Sequence, residues 1–240
     1  MITHVVIDIE GTTSSTGFVH RTLYPYSRER FRGWIDAHRD RTDVRAMIDA
    51  VRELAAEPEA DIDRVVWWLN HWLDGDQKVT PLKAFQGWIW AEGFSGGELT
   101  SHFFDDVIPV LRRWKAAGLD LSIFSSGSVS AQLAWFGNTP EGDILPLFSR
   151  HFDTENIGPK RVATSYRLIA DALGAVPSSI VFLSDLRAEL DAAAEAGWWT
   201  IGVRREGDQY FDESVGDHPV VYSFESIDPI GDRPRVVDSE

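Results

Sequence analysis

The chain contains no cysteine, so disulfides, thiolate nucleophiles and cysteine-bound metals are excluded outright. No hydrophobic run approaches the roughly 20 residues of a membrane span. No basic segment followed by an apolar stretch opens the chain, because Asp8 interrupts the first hydrophobic residues, so no secretory signal is expected. Positive charge is also scarce. Lys and Arg total 23 against 38 Asp and Glu, a formal charge of −15, which argues against nucleic acid or an anionic membrane as partner. A small anionic substrate stays compatible if a local cation or a metal stands inside that acidic field. Low-complexity segments and internal repeats are missing too. A soluble, cytoplasmic protein is the expectation.

With 240 residues and 43% hydrophobic composition, the chain can bury one good core and a smaller second one. Residues 2–7 read as a short buried strand. The next clear strand is "LDLSIFSSG" at 119–127, and mostly helical sequence lies between. "TDVRAMIDAVRELAAE" places Val44, Ile48, Val51 and Leu54 on one helical face, and "DIDRVVWWLNHWLD" does the same for Ile62, Val65, Leu69 and Trp72. "TPLKAFQGWIWAEG" starts with a capping threonine and a first-turn proline, and Gly93 is expected to end it. Residues 16–100 are therefore expected to form a helical insertion, with 1–15 supplying the first core strand and 101–240 the rest of the core.

From about residue 103 strands and helices alternate. "DDVIPVLRRWKAAG" is a capped helix ending at Gly118, "VSAQLAWFG" and "RVATSYRLIADALG" are further helices, and "SSIVFLSD" is a nearly all-apolar strand. "RAELDAAAEAG" and "WTIGVR" follow as helix and strand. This order predicts an α/β fold with a mainly parallel sheet covered on both faces. The tail from about 226 is polar and contains proline, and reads as an ordered edge or a frayed end.

Three strand ends finish in polar residues: Asp8, Ser125 with Ser126, and Asp185. Ligands of open parallel sheets gather beyond the carboxyl ends of the strands, so these residues can meet in one crevice, although Asp or Ser beyond a strand also caps helices. Asp8 and Asp185 suit a hard divalent cation such as magnesium, which takes oxygen ligands and bridges carboxylates to phosphate. Glu10 stands on a tight turn with Gly11, where its carboxyl group can face a substrate and its backbone carbonyl a metal. Glu189, four residues after Asp185, can support the metal or cap its helix. Carboxylates alone repel phosphate. Lys160 in "GPK", just before a helix, offers an offsetting point charge, and Ser125, Ser126 and the Gly127 backbone offer hydrogen-bond donors. Lys160 also reads as an ordinary surface lysine. The histidines form no metal set: His71 sits in an aromatic helix, His102 precedes "FFDDV", and His151 in "SRHFDT" is placed to shape the approach to Lys160. Zinc has less support than magnesium.

The ordered set DxExT, strand-end SSG, GPK and SD-xxx-E resembles the haloacid-dehalogenase superfamily of phosphatases. Glu10 departs from the DxDx(T/V) pattern usual there. Together "DIEGTT", "TPLKAFQGWIW", "FSSGSVSAQ", "GDILPLF" with "HFDT", and "FLSDLRAELDAAAEAG" resemble its enolase-phosphatase (acireductone synthase) branch through about residue 205. The resemblance implies a Rossmann-like three-layer core with a helical cap inserted after the first strand. It also implies a monomer acting in methionine salvage on 5-methylthio-2,3-dioxopentyl phosphate, which is enolised and then dephosphorylated. On this reading Asp8 is the nucleophile and Glu10 the general acid/base, with its main chain near magnesium. Ser125, Ser126, Gly127 and Lys160 contact phosphate or substrate; Asp8, Glu10 and Asp185 hold Mg2+; Thr12 and Glu189 support. Trp88, "FFDDV" and the end of "VRREGD", where the familiar pattern is "VRPGN", depart from the branch, and the last makes Arg204 an unsafe catalytic choice. A phosphatase for another small ester, or a phosphate-binding module without turnover, shares the core motifs.

Overall fold

The computed structural model describes residues 1–237, which divide into a sheet unit (residues 1–17 and from 101 on) and a helical unit (18–100). In the sheet unit, β1 (His4–Ile7) pairs in parallel with β2 (Asp120–Phe124) on one side and β4 (Ile180–Ser184) on the other. β3 (Phe148–Phe152) joins the outer edge of β2, and β5 (Trp199–Val203) and β6 (Val220–Val221) extend the other side, giving the order β3-β2-β1-β4-β5-β6. Every pairing in this sheet is parallel. Central position explains the composition: all five residues of β4 are buried, as a strand covered on both faces requires.

A short turn, α1 (Thr16–Phe18), follows the first loop; the helical unit then holds a wide helical turn over Val19–Leu23 and α2 (Tyr24–His38), α3 (Thr42–Leu54), α4 (Ile62–Asp74) and α5 (Thr80–Ser95). Its core is its own: Phe31, Ile35, Val44, Val51, Val65, Leu69, Phe85 and Ile89 are buried together. Gly93 does not end α5, which runs on to Ser95 with Gly96 as its cap. A Cβ at Gly93 would come within 2.6 Å of the Tyr26 hydroxyl, so that glycine permits close packing. Nor does Thr80 cap α5, since the capping residue is Val79 and no side chain closes that end.

Back in the sheet unit, α6 (Val107–Ala116), α7 (Val129–Gly137), α8 (Ala163–Leu173) and α9 (Arg187–Glu195) connect the strands. Gly174 ends α8 in the left-handed conformation at φ 64°, as expected of a helix C-terminus. Val6, Phe124, Tyr166, Phe182, Leu190 and Ala193 form one core cluster; the alanines of α9 let that helix approach the sheet. Through residue 237 the tail is an ordered edge, in which β7 (Ile227–Asp228) pairs antiparallel with β8 (Arg235–Val236); the rest of it lies outside the described residues.

Candidate active site

The amide of Asp8 donates to the Leu183 carbonyl at 3.0 Å. The β1–β4 ladder therefore continues to the residue whose side chain leaves the sheet. The chain then turns at once: Thr12, Thr13 and Ser14 all donate amides to the Ile9 carbonyl (3.2, 2.9 and 3.0 Å), and Gly11 N–H donates to Ser14 O at 2.7 Å. Gly11 has φ +73°, and a Cβ there would fall 2.1 Å from Asp185 Oδ2. The turn thus needs glycine twice, for its backbone and for the close approach of a carboxylate. The Thr12 hydroxyl, fully buried, donates to Asp8 Oδ2 (3.3 Å) and accepts from Asp185 N–H (3.1 Å), so one side chain ties the ends of β1 and β4.

Lys160 is no surface residue; it is buried, with Nζ 2.5 Å from Asp8 Oδ1 and 2.7 Å from Glu189 Oε2. Burial by itself lowers the ammonium pKa, but the charges of Asp8 and Glu189 outweigh it and hold the group above its ordinary value. Its backbone is held as firmly. Tyr166 Oη donates to Lys160 O at 2.7 Å, and Ser165 Oγ to Pro159 O at 2.8 Å, so the start of α8 fixes the "GPK" loop. Glu189 lies at the third helical position after Leu186, but its Oε2 accepts from Ser184 Oγ at 3.0 Å and pairs with Lys160. Burial, ahead of any charge, raises its pKa.

Asp185 is pushed up to about 8 by burial first, then by the negative charges of Asp8 and Glu189. Its Oδ1 is buried and has no hydrogen-bond partner among the described residues. Three buried carboxylates thus face one lysine, and one carboxylate oxygen is left unsatisfied, which is costly without a cation. These residues fit a hard divalent ion, which takes one or two carboxylates and completes its shell with carbonyl oxygen, water and substrate phosphate. Among the described residues no three His, Asp or Glu groups are spaced to hold a metal by themselves.

On the neighbouring strand, Ile123 is level with Ile7, so Phe124 is level with Asp8 and the serines stand just past the rim. Ser125 is buried, its amide donating to Phe152 O (3.1 Å) and its hydroxyl accepting from Gly127 N–H (3.2 Å); Ser126 is exposed. Gln132 is buried, and its amide nitrogen donates to the carbonyls of Gly127 and Phe152, both at 2.9 Å. Asp153 Oδ2 accepts from Val129 N–H at 2.8 Å. Glu10 is half-buried and pairs through its backbone with Ser14.

His151 Nδ1 lies 3.1 Å from Gln132 Oε1, so it braces the serine loop and not the lysine; burial lowers its pKa. His102 Nδ1 accepts from Ser15 N–H at 3.3 Å, a structural contact with the first loop. His71 stacks on Trp67 in the helical unit. Two arginines carry structure that the sequence did not reveal. Arg204 donates to the Asp185 carbonyl and, at 2.9 and 2.6 Å, to Glu213 O. Arg205 donates from Nε to Thr12 O at 3.0 Å and pairs with both oxygens of Asp106. Their one signal is a pair of arginines straight after an apolar strand.

The family model for haloacid dehalogenase-like hydrolases matches residues 2–197. A relative from Streptomyces avermitilis, named "Enolase-phosphatase E1", is 56% identical over 226 residues, 94% of this chain and 95% of its own. Proteins of the same name from Saccharopolyspora erythraea and Klebsiella oxytoca are 51% and 46% identical over 93% and 95% of this chain, and 94% and 98% of their own. Among solved structures, the UTR4 protein of Saccharomyces cerevisiae superposes with TM-score 0.77 at 29% identity, covering 94% of this chain and all of that one.

Proposed function

The chain belongs to the haloacid dehalogenase-like hydrolases, and from that premise we propose that it is a magnesium-dependent enolase-phosphatase acting in methionine salvage. Its substrate is 5-methylthio-2,3-dioxopentyl phosphate and its products are the acireductone and inorganic phosphate. The observation that carries the chemistry is Asp8 at the end of the central strand, its two oxygens claimed by Lys160 and Thr12, with Asp185 tied to it through the same threonine. The name shared by relatives at 46–56% identity supports the substrate.

Asp8 attacks phosphorus. A new bond forms to its carboxylate oxygen as the ester P–O bond breaks, and Glu10 gives a proton to the departing oxygen. Glu10, now ionised, takes a proton from the water that cleaves the aspartyl-phosphate and frees phosphate. Lys160 exchanges its contact with Asp8 for one with a phosphoryl oxygen, and the Ser125–Gly127 loop donates to the others. Asp8, Asp185 and the Glu10 carbonyl would hold a magnesium ion, which would supply positive charge against the phosphate. Enolisation precedes transfer: Glu10, the proposed base, takes a proton from the carbon bearing the phosphate ester, the C–H electron pair becomes a C=C bond, and the adjacent carbonyl oxygen, now an enolate, takes a proton from water, which leaves Glu10 protonated for the departing ester oxygen. As part of the same reading the helical unit is the cap its insertion point implies, and the enzyme is a cytoplasmic monomer. No helix among the described residues is long and apolar enough to cross a membrane.

The test follows enolisation by absorbance and phosphate release together, for the native enzyme and Asp8→Asn, with and without Mg2+. The native enzyme should do both and prefer the diketone phosphate to simple sugar phosphates. Asp8→Asn should lose phosphate release by about a thousandfold or more. Retention of release within about tenfold would remove Asp8 as nucleophile.

A further inference from the structure

Arg205 lies outside every segment that carries the reaction centre. It is 5% exposed; its Nε and Nη1 are bonded, and its buried Nη2 has no hydrogen-bond partner among the described residues. Nη1 donates to both Asp106 oxygens (3.0 and 2.9 Å) and to Tyr222 O (3.3 Å). Asp106 is itself fixed by Ser223 Oγ at 2.9 Å and Phe224 N–H at 2.6 Å. The rings of Phe104 and Phe224 stand 4.6 and 5.0 Å from the guanidinium carbon. A charge so enclosed pays a large desolvation cost, and a simple ion pair would not require two aromatic neighbours and a backbone anchor. The one direction left to its Nε leads to the Thr12 carbonyl at 3.0 Å. Thr12 is the residue whose hydroxyl touches both Asp8 and the Asp185 amide.

We propose that Arg205 is a positioning residue for phosphoryl transfer: by gripping the Thr12 carbonyl it holds the Thr12 hydroxyl in register between Asp8 and Asp185. The geometry demands a guanidinium. Its donors point in fixed, separate directions, one set to Asp106 and one to Thr12, which a lysine's single ammonium cannot match. The neighbouring contact from Phe104 N–H to Thr13 O (3.1 Å) holds the next residue of the same loop, and the Thr12 amide is held by the Ile9 carbonyl, but the Thr12 carbonyl is bonded by Arg205. The inference rests on the reading of Asp8 and Asp185 given above.

A double-mutant cycle on the full chain tests it, with phosphate release measured at saturating Mg2+ and melting temperature measured in parallel. Arg205→Lys keeps a cation opposite Asp106 and loses the reach to Thr12; Thr12→Val removes the hydroxyl and keeps the carbonyl. Each should lower kcat about tenfold with KM moved less than about threefold, and the double variant should be no slower than the worse single one. Losses that multiply, an unchanged kcat in Arg205→Lys, or a kcat loss that only follows the loss of folded protein would overturn the proposal. If Arg205→Lys does not fold, Asp106→Asn, which loosens the anchor without touching the loop, must show the same non-additivity with Thr12→Val, and additivity there overturns it equally. Asp8→Asn in the same assay separates the two layers. Turnover without Asp8 would mean the reaction reading has failed, whereas an inactive Asp8→Asn beside an additive cycle would remove Arg205 alone.

Discussion

Gly11→Ala is a one-methyl perturbation whose consequences can be worked out from two numbers. At φ +73° an alanine pays about 1–2 kcal/mol for the left-handed conformation. Its Cβ would also sit 2.1 Å from Asp185 Oδ2 and 2.7 Å from Cγ, far inside contact distance. One of the two must move. The turn is locked by three amides on the Ile9 carbonyl, so Asp185 yields, at a further ~1 kcal/mol for an off-rotamer side chain. A total of about 2–3 kcal/mol lowers the melting temperature by roughly 4–12 °C in a chain of this size, leaving it folded at 25 °C. Function should suffer far more, because the displaced carboxylate is the one proposed to hold magnesium: phosphate release should fall about a hundredfold or more, in line with the sensitivity of such geometry to ~1 Å shifts. Release should be measured across a Mg2+ titration with thermal melts beside it. A variant with near-native turnover and an unchanged Mg2+ requirement would show that Asp185 does not need the place it occupies against Gly11.

Lys160→Met should destabilise the protein by about 3–5 kcal/mol, the usual cost of breaking a buried pair from one side, and abolish phosphate release. Adding Glu189→Gln should return part of the stability and none of the activity, and urea melts of both variants check this. His151 gives a pH test. Its folded pKa is lowered by burial, so below the ordinary 6.5 the unfolded chain takes up a proton that the folded one resists, and stability falls as pH drops through that value. On going from about pH 7.5 to 5.5 the urea midpoint of His151→Gln should therefore drop less, or rise more, than that of the native protein; a slope common to both persists, from His4, whose pKa burial also lowers against the pull of Asp120, and with the opposite sign from Asp185, whose raised pKa lets the folded chain take up a proton in this range. An equal slope in both proteins would contradict the assignment.

The central strands were legible because burial on both faces turns them into apolar runs: "VVI" before Asp8 and "IVFLS" before Asp185 announce themselves. β3 did not, since as an edge strand it alternates Phe148 and Phe152 with exposed Ser149 and Arg150 and lies in no hydrophobic run. β6, β7 and β8 are two residues each, too short for any period. The carboxylates were readable because their chemistry is in their side chains; Lys160 was readable only as a candidate, because a surface lysine has the same side chain and only burial against Asp8 and Glu189 tells them apart. Arg205 was not, because its target is a backbone carbonyl, which any residue carries. The segment "DDVIPVLRRWKAAG" reads as a capped helix, yet Asp106 makes no cap bond to α6 and turns to Arg205, Ser223 and Phe224.

The strand order also sets how the chain can be made. Val5 lies opposite Leu121 and Val181, so β1 leaves the ribosome with its partners more than a hundred residues downstream. Loop-closure entropy grows slowly with length, but contacts of this separation form late and slow the search. During synthesis the helical unit, whose contacts are local, can complete itself while "HVVI" waits with bare sheet edges on both sides. The interval before β4 emerges is therefore the time at which the nascent polypeptide is most open to mispairing and clumping, and at which a holdase would do it most good.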